Sequence, residues 1–307
     1  MRTSAAQDAA DGMSLSRSDA LFGIKLTAVA AIMMAALLLI PAVMTVLYSL
    51  HNVPASGASL GTFVGLRNYE IIFTSRTFWR SAWTTLVFST GFVVFSTVIG
   101  LAMAMLLNQH FVGRGLARGL LILPWATPWL VIGILWRWYT DGSVGGLNAL
   151  LTGLRITSEY KSFLADPNWA MVIAITAAVW RQASFAGILL LAGLQSLPRE
   201  LHEAAAIDGA NAWRRFTNIT LPWLRPMLIT VLVLNIIYAF LQFDVIFALT
   251  QGGPGDATQV LSILIYRQLF VVTQIGLGSA LAVVLGVVAL IGGLVTIKLL
   301  YRPETPY

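Results

Sequence analysis

Six stretches of the sequence are apolar, nearly free of charge and long enough to cross a membrane. A helix needs about 20 such residues to pass about 30 Å of hydrocarbon. The first stretch runs from Leu26 to Leu50, 25 residues without a charge. The second runs from Ser81 to about Leu107, and the third from near Gly119 to Arg137. The fourth runs from Trp169 to Leu197, with Arg181 inside. The fifth covers Met227 to about Leu249, with Asp244 near its far end. The sixth runs from Gly276 to Ile297 and is closed by Lys298. This pattern predicts an all-α membrane protein with six transmembrane helices and both termini on one side. The first stretch exceeds the apolar region of a secretory signal, which has about 7–15 residues. The loops are too short for a separate core. Residues 21–300 are therefore expected to form one transmembrane domain between polar tails at 1–20 and 301–307.

Composition agrees and narrows the choice. Of 307 residues, 58% are hydrophobic and 10% are charged, whereas a soluble domain has about 25% charged residues. That excludes a cytosolic globular enzyme, a disordered chain and a fibrous protein. There is no Cys, hence no disulfide framework and no thiolate site. The net charge of +6 fits basic cytoplasmic loops better than nucleic-acid binding, which is not expected. With the N-terminus inside, 11 Lys or Arg residues fall on the cytoplasmic side and 7 outside. That bias favours both termini in the cytoplasm.

The loop at about 196–226, between spans four and five, carries the most pattern. Pro198 suits a first helical turn, and Glu200 and Glu203 follow where the helix dipole favours anions. Leu201, Ala204, Ala205 and Ile207 form an apolar stripe. Gly209 is suited to a left-handed C-terminal turn. A second amphipathic stretch has Trp213, Phe216 and Ile219, and Pro222 is expected to end it. Read physically, this is a helix-turn-helix on the cytoplasmic face. Its small Ala204-Ala205 patch permits close approach by another protein, and the alternative is a connector resting on lipid headgroups.

The spacing Glu203-Ala204-Ala205, three residues, Gly209, nine residues, then Ile219-Thr220-Leu221-Pro222 resembles the EAA loop of bacterial ABC importer permeases. Several other stretches resemble the carbohydrate-uptake subfamily of the MalF, UgpA and SugA type. They are Gly65-Leu66-Arg67-Asn68-Tyr69, Leu123-Pro124-Trp125, Gly193 to Pro198, Gly252-Gly253-Pro254 and Gly276 to Ala280. The resemblance covers roughly residues 20–300. The chain departs from MalF itself in having six spans rather than eight and no large periplasmic insertion.

The resemblance implies a type I ABC importer fold in the bacterial inner membrane. It implies four kinds of partner: a second permease subunit, an ATPase dimer, an extracytoplasmic substrate-binding protein and the surrounding lipid. It also implies a sugar or sugar-like solute. The ATPase-coupling role of the loop falls on Glu203, Ala204, Ala205, Asp208 and Gly209, with Leu201 and Ile207 as apolar contacts. The chain has no GxxxxGK[S/T] loop, so ATP and Mg are expected on the ATPase, with no cofactor and no catalytic residue here.

Polar residues inside spans face a cavity or a partner helix. In span five, Asn235, Tyr238 and Gln242 are spaced to share a helix face. They suit sugar hydroxyls and a sugar ring, or equally interhelical hydrogen bonds. By the same resemblance, Arg181, Gln182 and Phe185 in span four line the substrate pathway. Arg181 raises the alternative of an anionic solute: a glycerol phosphate, a phosphodiester or a sulfosugar glycoside. Asp244 is expected to pair with a base on the partner permease. The turn cluster from Leu249 to Asp256 either meets the binding protein or simply connects. Trp79, Trp83, Trp136, Trp138 and Trp169 read as interfacial anchors. Asp141, Glu159 and Asp166 have no metal-ligand spacing, and the three His residues are scattered. A stand-alone secondary carrier is the alternative of another class, but no repeat or ion relay supports it. A membrane-embedded enzyme lacks its catalytic constellation.

Overall fold

The computed structural model describes residues 17–55 and 59–300. The assigned tails at 1–20 and 301–307 lie outside this, except that residues 17–20 already belong to the first helix. The chain runs α1 (Arg17–Ser49), a two-stranded antiparallel hairpin (His51–Asn52 with Thr62–Phe63), α2 (Arg67–Thr74), α3 (Arg76–Asn108), α4 (Arg114–Ala126), α5 (Trp129–Tyr139) and α6 (Gly146–Gly153). Next come α7 (Pro167–Gln195), α8 (Arg199–Ile207), α9 (Ala212–Leu241), α10 (Asp244–Thr250), α11 (Leu261–Val271) and α12 (Ile275–Leu300). Among the described residues five helices can span a membrane: α1 from Thr27, α3, α7, α9 and α12. The α4–α5 pair, bent by 98° at its break, makes a sixth if counted as one span.

α7 is the centre of the bundle. Ala170, Ala174, Ala177, Ala178, Ala183 and Ala186 are buried along it. Small side chains let neighbouring backbones approach, which is how spans associate where lipid is as apolar as the helix. Gly100 of α3 marks a close α3–α7 approach: a Cβ there would lie 2.6 Å from that of Ala186. α1 lies at the other extreme. It packs on α12 but leaves Leu37 and Leu38 72% and 65% exposed, so its outer face is left for lipid or another chain.

Helix starts follow local chemistry. Asp166 caps α7 by accepting from the backbone N–H groups of Asn168 (2.8 Å) and Trp169 (3.0 Å), with Pro167 at the first position, where no N–H is needed. Asn211 caps α9 by accepting from Arg214 N at 2.9 Å.

Three expectations about the spans need correction. Span three is broken rather than continuous. Pro128 has no N–H and disfavours helical backbone at Thr127, so the chain turns there. Span five ends at Leu241, not Leu249. Gln242 is extended, and Asp244 opens the separate helix α10, which packs on α5 and α7. Pro222 does not end the amphipathic stretch. The helix passes through it after a π turn at Phe216–Thr220, where Leu221 N–H reaches Phe216 O. That wider turn changes which carbonyl each N–H meets, so the missing Pro222 donor is accommodated.

Candidate docking helix and membrane pathway

α8 stands clear of the bundle. Pro198 precedes it with extended backbone, and Glu200 occupies its first turn. Gly209 has φ +77°, the left-handed conformation that costs a side chain most. It closes the helix, with Gly209 N–H donating to Ala206 O at 3.1 Å. Leu201, Glu203, Ala204, Asp208 and Gly209 are all exposed, and Ala205 is half-buried. Ile207 is 87% exposed. A buried Ile side chain is worth about 1.5–3 kcal/mol over an exposed one, so covering Ile207 would be favourable. The seven residues expected to couple to an ATPase thus share one short helix and its closing turn.

The six pathway residues separate into groups. Arg181 and Phe185, one turn apart on α7, both face the bend between α4 and α5. Arg181 Nε donates to Thr127 O (3.0 Å), and its guanidinium lies 4.1 Å from the centre of the Trp129 ring. Phe185 stacks on Trp125 with centroids 5.9 Å apart. Gln182 and Asn235 instead form a buried bridge. Gln182 Nε2 donates to Asn235 Oδ1 (2.7 Å), and Asn235 Nδ2 donates to Ser96 Oγ and Thr97 Oγ1, both at 3.0 Å. Both amide residues are fully buried. For Asn235 this is the interhelical bonding that the sequence left as an equal reading. Tyr238 is 41% exposed. Gln242 departs from the expected shared face, because the helix has ended and its carbonyl accepts from Ser262 Oγ (2.6 Å).

Ser96, Thr97, Trp125, Thr127 and Trp129 were missed by sequence reasoning. The Thr127-Pro128 dipeptide carried a usable break signal; the hydroxyl partners carried none. The turn cluster after α10 is more built than its composition suggested. Arg267 donates to Asp256 Oδ1 (2.7 Å), to Gln251 O (3.1 Å) and to Gln259 Oε1. Asp244 is exposed in the first turn of α10. Among the expected anchors, Trp79, Trp83, Trp138 and Trp169 are exposed, whereas Trp136 packs against Tyr139 and Trp180.

A bundle of about six spans, one of them broken, with a short exposed helix between its fourth and fifth members, defines a helical transport permease. The chain belongs to the family of binding-protein-dependent transport system inner membrane components, whose model matches residues 96–302. It is a permease subunit of the carbohydrate-uptake type of ABC importer. It is 39% identical over 236 residues to the trehalose/maltose transport permease MalF of Thermococcus litoralis, covering 77% of this chain and 79% of that one. It is 34% identical over 271 residues to the sulfoquinovosyl glycerol transport permease SmoG of Agrobacterium fabrum, covering 88% and 87%. A chain of a bacterial ABC transporter that imports the acidic polysaccharide alginate shares the fold, with a TM-score of 0.79, 24% identity and coverage of 92% and 96%.

Proposed function

We propose that this subunit, paired with a second permease, forms the pathway for a sugar or sugar-like solute and is driven through α8 by separate ATPase subunits. The observation that carries the reading is α8 itself: an exposed helix with a small-residue patch, an acid at Glu203 and an 87% exposed Ile207. Such a surface fits a groove on another protein. α8 lies on the cytoplasmic side of a bacterial inner membrane in this reading, with both termini there. Residues 21–300 form one transmembrane domain. ATP and Mg belong to the ATPase dimer, and an extracytoplasmic binding protein delivers the solute.

The mechanism is alternating access. Closure of the ATPase dimer carries α8 with it, and the packed helices shift as bodies rather than bending. The pathway turns outward, then returns after hydrolysis. The solutes after which the two relatives are named are glycosides, which supports a sugar here. Tyr238 offers an aromatic face and a hydroxyl suited to a sugar ring. Arg181 donates to Thr127 O through Nε and stacks on Trp129, which fixes the guanidinium beside the bend while its Nη groups face no carboxylate among the described residues.

The test is ATPase activity of the whole complex in lipid with its binding protein. The panel contains disaccharides, glycerol 3-phosphate, a glycerol phosphodiester and a sulfosugar glycoside. Stimulation by a disaccharide, lost in Glu203→Lys while the subunits stay assembled, is the expected result. Stimulation by an anionic member alone would reassign the solute. Transport that follows a proton or sodium gradient without an ATPase would overturn the importer reading.

A further inference from the structure

At the α8 end of the bundle, Asn108 and Gln195, the last residues of α3 and α7, flank a cavity of about 500 Å³. Arg114, Arg118 and Arg199 line it with one carboxylate, Glu203. Three cations against one anion leave the lining positive. None of the three is in an ion pair: among the described residues the one ion pair joins Arg267 and Asp256 at the other end.

Arg118 is occupied by the protein. Its Nε and Nη2 donate to Leu107 O at 3.3 and 2.9 Å. Gln195, with its amide turned to satisfy both groups, accepts from Arg118 Nη2 and Nη1 at 2.8 and 3.0 Å. Arg114 and Arg199 are held less firmly: Arg114 Nη1 donates to Gln109 O only at 3.4 Å, and both guanidiniums share a further partner. Arg114 Nη1 lies 3.4 Å from His110 Nδ1, and Arg199 Nη2 lies 3.2 Å from His110 Nε2. A guanidinium only donates, and a neutral imidazole has one acceptor nitrogen. The ring therefore satisfies one of the two cations. Two like charges gathered at one ring repel unless an anion joins them.

Depth points to the chemistry of that anion. α3 and α7 have 33 and 29 residues, about 50 and 44 Å of helix against about 30 Å of hydrocarbon and about 40–45 Å with headgroups, so helices centred in the bilayer end at the level of the phosphate headgroups. His202, Leu194 and Leu197 also line it, and the two leucines suit the upper acyl chain beneath a headgroup. Basic pockets between spans on the cytoplasmic side take anionic headgroups by this logic. We propose that this cavity binds the phosphate of an anionic phospholipid, with Arg114 and Arg199 as its donors. Arg199 belongs to α8 and Arg114 to α4, so the bound lipid joins the docking helix to the broken span. The proposal rests on the reading that α8 faces the cytoplasm.

The test uses the full chain purified in neutral detergent and titrated with phosphatidylglycerol or phosphatidylcholine. Retained lipid is read by native mass spectrometry and stability by Tm. The intact chain should retain phosphatidylglycerol preferentially. Arg114→Gln/Arg199→Gln should lower that retention about tenfold, with phosphatidylcholine unaffected. Arg214→Gln, outside the cavity lining at the same end, should match the intact chain. If the double variant fails to fold, Arg199→Gln alone, at an exposed position, should shift retention in the same direction. Equal retention by variant and intact chain would overturn the site. An equal Tm rise from soluble glycerophosphate would overturn the assignment to a lipid. No ATPase subunit enters these readouts, so failure of this site is distinguishable from failure of α8 as a docking helix.

Discussion

At one end of the bundle, the segment after α10 is held by its own side chains. Arg267 binds Asp256, Gln259 and the Gln251 carbonyl, and Arg80 Nη2 donates to Gly255 O at 2.8 Å. Thr258 Oγ1 donates to Gly253 O (2.7 Å) and lies 2.7 Å from Thr250 Oγ1. At the other end, α8 leaves its apolar and acidic side chains exposed. Both segments are short, polar-rich connections between apolar helices. The first satisfies its polar groups internally and keeps its shape alone. The second leaves such groups exposed, as the proposed docking to another protein requires. Exposure in a connection rich in pattern thus points to docking, whereas internal bonding points to scaffold.

The difference can be broken from either side. The largest effect is expected from Ile207→Asp in α8. An anchor side chain in a docked interface is worth about 2 kcal/mol or more, so the ATPase should fail to co-purify while the Tm of the isolated subunit stays unchanged. Arg267→Ala should do the reverse. It removes several hydrogen bonds from a partly exposed position, where ion pairs count for little, and should cost about 1–2 kcal/mol of stability, read as a lower Tm with ATPase assembly intact. Asn235→Leu should cost about 1 kcal/mol in thermal unfolding, because Gln182 then loses its acceptor inside the bundle. The smallest effect is a pH effect at Asp141, after α5. The N–H groups of Ser143 and then Val144 donate to its carboxylate and hold its pKa below the ordinary 3.8. The contribution is present above the unfolded pKa and lost as pH falls through the lower folded one. Asp141→Asn should therefore slightly flatten the fall in Tm below pH 4, and an unchanged acid limb would contradict it.

The spans were legible in the sequence because hydrocarbon imposes its demand over 20 or so consecutive residues, and α3, α7 and α12 lie close to where the apolar runs put them. The breaks were harder. Pro128 bends its span and Pro222 does not, although both are prolines in apolar helical sequence. Pro41, Pro124 and Pro226 also lie inside continuous helices, so a proline by itself does not mark a break. α8, the proposed docking helix, was legible as a short helix closed by Gly209. The pathway residues were legible only as polar positions, since their partners are remote in sequence: Asn235 meets Ser96 and Thr97, and Arg181 meets Thr127. Helical spacing says which residues share a face of one helix, not what the facing helix supplies.

The continuity of α9 has a mechanical consequence. Its 30 residues at about 1.5 Å each give a rod of about 45 Å. One end begins three residues after Gly209, and the other carries Asn235 and Tyr238 at membrane depth. A tilt of about 5° about one end of such a rod displaces the other by about 4 Å, close to the width of one water layer and a half. Small angular changes where the rod begins therefore arrive at Asn235 and Tyr238 as displacements the size of a functional group. Had Pro222 broken the helix, the two ends would be hinged and that amplification would be lost.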